Sequence, residues 1–180
     1  EAQRVALARA LVRHPRVVLL DEPLAALDRG RRAELRRMLH RLQRRHGVGF
    51  IHVTHDPQDA LALADHVVVL AGGRVREQGP PAELYRRPRT MLGARLLGEL
   101  TPVPGRCDAW LRPERLRVLE PGVERGRMTA RVIRVALLGP QWEVELELDG
   151  QPGLAWCDRP PQGERCDLDW DPDDVLSFPS

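Results

Sequence analysis

The sequence contains no lysine and no asparagine; all 28 basic residues are arginine. This reads first as a codon bias, yet it has a chemical consequence. A site that needs a lysine amine, such as a phosphate-binding P-loop or a Schiff base, cannot lie within these 180 residues. Aromatic residues are scarce, at 4%. The arginines are therefore not interleaved with rings that could stack on bases, which argues against nucleic-acid binding. Cys107, Cys157 and Cys166 are odd in number and form no CxxC pair. That argues against a disulfide scaffold or a zinc site, and it fits a reducing, cytoplasmic setting. No apolar run approaches the ~18 residues of a membrane span, and no signal-peptide pattern opens the chain. The first residue is Glu1, without Met and inside a helical pattern, so the sequence reads as beginning mid-protein.

Hydrophobic residues at 42% and charged residues at 30% describe a chain that folds. The net charge of +2 hides an asymmetry. Residues 1–100 hold 18 arginines and 11 acids, whereas residues 101–180 hold 10 arginines and 15 acids. Opposite signs in the two halves point to two units.

In the first half, Val5, Ala8, Leu11 and Val12 fall at helical spacing within 2–13, and Pro15 ends that helix. Val17–Leu20 is an unbroken aliphatic run, which predicts a parallel strand covered on both faces. A helix over 31–45 buries Leu35, Met38, Leu39 and Leu42, with Gly47 as its C-terminal cap. A second strand over 49–53 leads into Thr54-His55-Asp56; Asp56 and Pro57 then read as N-cap and first residue of a helix to 64. A third strand over 66–71 turns back at Gly72-Gly73 into 74–78, and a short helix spans 81–85. Alternating strands and helices predict an α/β unit around a parallel sheet.

After about residue 100 the texture changes. Prolines punctuate short runs, and 127–135 and 142–148 alternate at period two across Gly139-Pro140. These predict antiparallel strands of a small all-β, OB-like barrel or sandwich. The four tryptophans all lie in this half and read as its core. The five aspartates of 167–174 read as a solvated acidic edge, because the run lacks the glycine and terminal Glu of a calcium loop.

Chemistry concentrates after the first two strands, where open α/β sheets bind ligands. Asp21 ends the first strand and can hold Mg²⁺, directly or through water. Glu22, one step on, can orient or deprotonate a water for attack on a phosphate. His55 ends the second strand and can donate to a phosphate oxygen. Alone, the carboxylates are also compatible with an ordinary strand and turn, and a lone strand-end histidine is more often structural.

The order of the motifs carries more. EAQRVALARAL at 1–11, VVLLDEP at 17–23, AALD at 25–28, VTHD at 53–56 and ADHVVVLAGGRVREQGPPAELYRRP at 64–88 resemble the nucleotide-binding subunit of ABC transporters. Over these stretches the chain is similar to the segment after the LSGG signature, Walker B, the D-loop and the switch-histidine loop. The resemblance implies that Asp21 serves the Mg²⁺ site, Glu22 is the catalytic base and His55 the γ-phosphate switch. It implies that Asp28 contacts the other subunit of an ATP-sandwich dimer. It places Glu1 at the last signature position and Gln3 in the helix that faces the partner's ATP. The LSGG residues, the P-loop, the Q-loop and the adenine-stacking aromatic have no counterpart here.

LRPE at 111–114, ARVIRVALLGP at 130–140 and WDPDDVLSFP at 170–179 resemble the small β domain called TOBE, which follows the ATPase in many bacterial importer subunits. The implied layout is a partial ABC ATPase domain over 1–95 and a TOBE-like domain over 101–180. The implied function is ATP-driven import. Its partners would be a second copy, transmembrane permease subunits and a periplasmic or extracellular solute-binding protein, and its place the inner face of the membrane. A soluble ABC-type ATPase unconnected with transport and a non-catalytic metabolite-sensing module are the alternatives. The same layout serves iron, polyamine, sulfate, molybdate and sugar importers, and the chain's ending leans weakly towards iron or polyamine.

Overall fold

A computed structural model describes residues 2–25, 27–119 and 126–178. They divide into two compact units, 1–68 with 78–82 and 69–77 with 83–180.

The first unit contains helix α1 (Ala2–Leu11), strand β1 (Val17–Asp21), helix α2 (Arg29–His46), strand β2 (Gly49–Val53) and helix α3 (Pro57–Leu63). β1 and β2 pair in parallel, from Val17 opposite Gly49 to Asp21 opposite Val53. Asp28 caps α2 by accepting from the Arg31 N–H at 2.9 Å, and Gly47 closes it in the left-handed conformation at φ 63°. Leu7, Val18, Leu24, Leu35, Leu39 and Val48 form the core, with Leu20 and Phe50 packed against it.

That core covers one face of the sheet only. Val17, Leu19, Ile51 and Val53 alternate onto the other face and stay exposed, Leu19 by 74%. The expectation of a strand covered on both faces is therefore not met. The parallel sheet has two strands, and α1 and α2 supply a single covering layer. The third predicted strand, β3 (Val67–Ala71), does not join it. It pairs with β4 (Arg74–Gly79) as a separate hairpin across Gly72 and Gly73, both at positive φ.

The second unit takes in 69–77, most of helix α4 (Pro81–Arg86) and helix α5 (Met91–Leu97), the latter capped by the Thr90 hydroxyl. Strands follow: β5 (Thr101–Pro102), β6 (Ala109–Leu111), β7 (Arg117–Leu119), β8 (Met128–Leu138), β9 (Gln141–Leu148), β10 (Gln151–Cys157), β11 (Arg165–Asp169) and β12 (Leu176–Ser177). They make a five-stranded antiparallel sheet, β10-β9-β8-β11-β7, and a three-stranded one, β12-β6-β5. The predicted strand pair is β8 and β9, joined through Gly139 at φ 72°. β10 escaped the sequence reading because Pro152 and Gly153 interrupt its pattern. Both residues are tolerated because β10 ends the order of its sheet.

Two expectations about this unit are corrected. Its core is aliphatic, built on Leu111, Leu116, Val144, Leu146, Leu148 and Leu168, and Trp170 only borders it. The acidic run is solvated in part: Asp171 and Asp173 are exposed, and the other three aspartates are engaged. Asp169 accepts from Arg117 and Arg127, Asp167 accepts from the Thr129 hydroxyl at 2.7 Å, and Asp174 pairs with Arg115. Asp169 and Asp174 are counter-ions to arginines of neighbouring elements.

Candidate active site

The parallel register brings the ends of β1 and β2 level, and that alone makes Glu22 and His55 neighbours. The Glu22 N–H continues the ladder by donating to the Val53 carbonyl at 3.0 Å. Its backbone then enters the left-handed region at φ 44°, which is unusual for a residue with a side chain and costs about 1–3 kcal/mol. The chain turns out of the sheet there, and the carboxylate meets the end of β2. Glu22 Oε1 accepts from the His55 N–H at 2.9 Å and lies 2.7 Å from His55 Nδ1.

This pair sits at an open rim. The His55 side chain is 81% exposed and that of Glu22 35%. The hydrogen bond from the imidazole holds the Glu22 carboxyl below its ordinary value. Asp21, one residue back, is exposed at the last rung of the β1–β2 ladder. The result is a carboxylate and an imidazole in contact, with a second carboxylate beside them and all three open to a ligand.

Mg²⁺ is commonly bound by one or two carboxylates together with phosphate oxygens and waters. The described residues contain no group of three or more metal-binding side chains. A single exposed Asp21 fits a site that the nucleotide completes, and it does not fit an all-protein cage.

Asp28 and Gln3 are carried by other elements. Asp28 is engaged as the α2 cap and in an ion pair with Arg31 at 3.3 Å. Gln3 lies in α1. Glu1 falls outside the described residues.

Several contacts that shape the site carry no sequence signal. Asp56 caps α3 as anticipated, accepting from the Gln58 N–H at 2.8 Å, but it also pairs with Arg32 of α2. Asp59, 2% exposed, is held by Arg36, whose Nε donates at 2.5 Å. These partners are 24 and 23 residues apart, and charge patterning along one helix does not reveal them. His52 of β2 lies within electrostatic reach of Asp59, Glu22 and Arg36, and burial pushes its pKa down.

Residues 109–178 match the TOBE domain family. The spermidine/putrescine import ATP-binding protein of Marinobacter nauticus is 49% identical over 60% of this chain and 29% of its own length. That of Bacillus thuringiensis is 45% identical over 66% of this chain and 36% of its own. That of Spiroplasma citri is 33% identical over 97% of this chain and 58% of its own. The chain carries a C-terminal ABC-ATPase part followed by a TOBE domain. It spans between about three-tenths and three-fifths of the length of these relatives. The ABC-ATPase part contains the Glu22–His55 rim. The TOBE domain, beginning at Ala109 in β6, contains most of the β strands of the second unit.

Proposed function

We propose that this chain is part of the ATP-hydrolysing subunit of a polyamine importer, with its ABC-ATPase part over 1–95 and its TOBE domain over 101–180. The contact between Glu22 and His55 is the observation that carries the catalytic half of this reading. Glu22 acts as general base and takes a proton from the attacking water. His55 holds the γ-phosphate oxygens and, through its bond to Glu22, keeps that base at the same rim. Asp21 would hold Mg²⁺, which when bound would offset charge on the phosphates. Gln3 and Glu1 belong to the helix end that faces the nucleotide of a second copy, and Asp28 lies at that dimer interface.

The polyamine assignment rests on the names of the similar proteins, each a spermidine/putrescine import subunit. An importer of this kind works with permease subunits and a solute-binding protein, at the inner face of the membrane. No helix among the described residues is long and apolar enough to cross a membrane. The four aliphatic side chains exposed on one face of β1 and β2 support a longer subunit, because parallel sheets are ordinarily covered on both faces. Residues 1–180 alone, without a lysine for the phosphates, are expected to be inactive.

The test is Glu22→Gln in the full-length subunit. The amide keeps the size of the side chain but cannot accept the proton. ATP binding is expected to persist while turnover falls roughly 10²–10⁴-fold. Near wild-type hydrolysis by this variant would require another base and would remove the proposed role.

A further inference from the structure

We propose that Arg32 and Arg36 are positioning residues for His55. They grip the first turn of α3 through Asp56 and Asp59 and so fix the short loop that presents the imidazole. This rests on the reading of His55 as the γ-phosphate contact.

The argument starts from spacing. Arg32 and Arg36 are four apart in α2, so both project from one face. Asp56 and Asp59 are the cap and the third residue of α3. Two rungs result: Arg32 with Asp56, and Arg36 with Asp59. In the second rung, two nitrogens of the Arg36 guanidinium converge on Asp59 Oδ1. The Asp59 side chain is 2% exposed, so this rung is desolvated and held in one geometry.

Between the last residue of β2, Val53, and the gripped Asp56 stand only Thr54 and His55. Each is tied by a hydrogen bond. The Asp56 N–H donates to the Thr54 hydroxyl at 3.0 Å, and the His55 N–H donates to Glu22. A loop of two residues tied at both ends leaves the imidazole little freedom. The helix that ties its far end is held to α2 by charge.

A buried ion pair contributes little stability compared with apolar packing of the same volume, whereas its directional bonds specify one arrangement. Leucines at these positions would hold α3 against α2 about as firmly but would leave its rotation and rise less fixed. Misplacing a catalytic group by about 1 Å costs on the order of 10²-fold in rate. That is where the ladder is expected to act.

The experiment measures kcat and KM for MgATP in the full-length subunit. The variants are Arg32→Gln and the double variant Arg36→Leu with Asp59→Leu, which removes both members of the buried pair together. Folding is checked by circular dichroism. Both variants are expected to fold and to lose roughly 10- to 100-fold in kcat, with KM within about 2-fold of wild type. Arg32→Lys, which keeps the charge, is expected to recover part of the loss. A folded double variant with wild-type kcat, or one that raises KM and leaves kcat unchanged, overturns the proposal. If the double variant does not fold, Arg32→Gln, whose pair is partly exposed, decides by the same criterion. His55→Ala runs alongside. If it retains wild-type kcat, the reading of His55 as the γ-phosphate contact itself fails; if it loses kcat while the arginine variants are normal, only the positioning role fails.

Discussion

At the scale of single residues, the same side-chain types behave differently according to burial, and the cysteines make this measurable. Cys107 is exposed, Cys157 is half-buried and Cys166 lies in the core of the second unit. Burial pushes the Cys166 thiol up to about 11 and raises that of Cys157. The thiolate is the reactive form, so at pH 8 Cys166 presents almost none of it and no access either. A thiol probe such as a disulfide chromophore is expected to label Cys107 rapidly, Cys157 slowly and Cys166 only after unfolding. Mass spectrometry of the labelled peptides checks this. Fast labelling of Cys166 in the native protein would contradict the packing described. The arginines divide in the same way. Arg31 pairs with Asp28 in solvent and adds little, while Arg36 and Arg112 work where water is scarce.

At the scale of elements, Arg112 shows how a motif residue serves structure. Its side chain is 3% exposed. It donates to the Ala94 and Glu99 carbonyls at 2.9 and 3.1 Å, and more weakly to the Tyr85 carbonyl, with its guanidinium 4.2 Å from the Tyr85 ring centre. These carbonyls lie towards the C-terminal ends of α4 and α5, where a cation is favoured. Tyr85 in turn donates to Glu114 at 2.7 Å, and burial pushes its hydroxyl up to about 12, so it remains a donor. Glu77 performs the matching task at the other end of α5. It accepts from the Thr90 hydroxyl and the Arg89 N–H, and it packs so close to Gly93 that a Cβ there would overlap the carboxylate. Arg112→Leu is expected to destabilise the second unit by about 2–4 kcal/mol, because buried carbonyls lose their donor. Arg112→Lys recovers only part, since a point charge cannot span three carbonyls. Urea unfolding midpoints check both, and an unchanged midpoint for Arg112→Leu would contradict this role.

At the scale of the whole molecule, the compact second unit and the TOBE domain do not share a boundary. The TOBE family match starts at Ala109, yet the compact unit also takes in 69–77 and everything from Glu83 on, with most of α4 and all of α5. The stretch over 89–104, which the prolines and charge reversal mark as a divide, contains a helix and a strand. Deleting 105–180 from the full-length subunit therefore removes Arg112 from beneath α5 as well as the domain itself. Such a deletion is expected to keep basal ATP hydrolysis, because no matching catalytic motif lies beyond His55, and to lower the unfolding midpoint. Hydrolysis assays and urea titration of the same variant separate the two effects. Loss of all hydrolysis in a folded, ATP-binding deletion variant would assign the tail a direct catalytic part.

Local chemistry determined much of this protein from the sequence by itself. Gly47 ends α2, and Asp56 and Pro57 start α3, because caps act over three or four residues. The alternation in 127–135 and 142–148 marked the central hairpin, which the structure extends to 128–138 and 141–148. The motif order placed Asp21, Glu22 and His55 as the residues to watch. What tertiary structure decided is whatever depends on partners distant in the chain. The parallel register put Glu22 Oε1 against His55. The approach of α2 to α3 paired Arg32 and Arg36 with Asp56 and Asp59. The packing of α4 and α5 made Arg112 a buried cap. Each of these spends the charge or hydrogen-bonding capacity of a residue on a partner 13 to 33 positions away. Periodicity and capping rules reach only one turn or one strand, so no local pattern records such pairs.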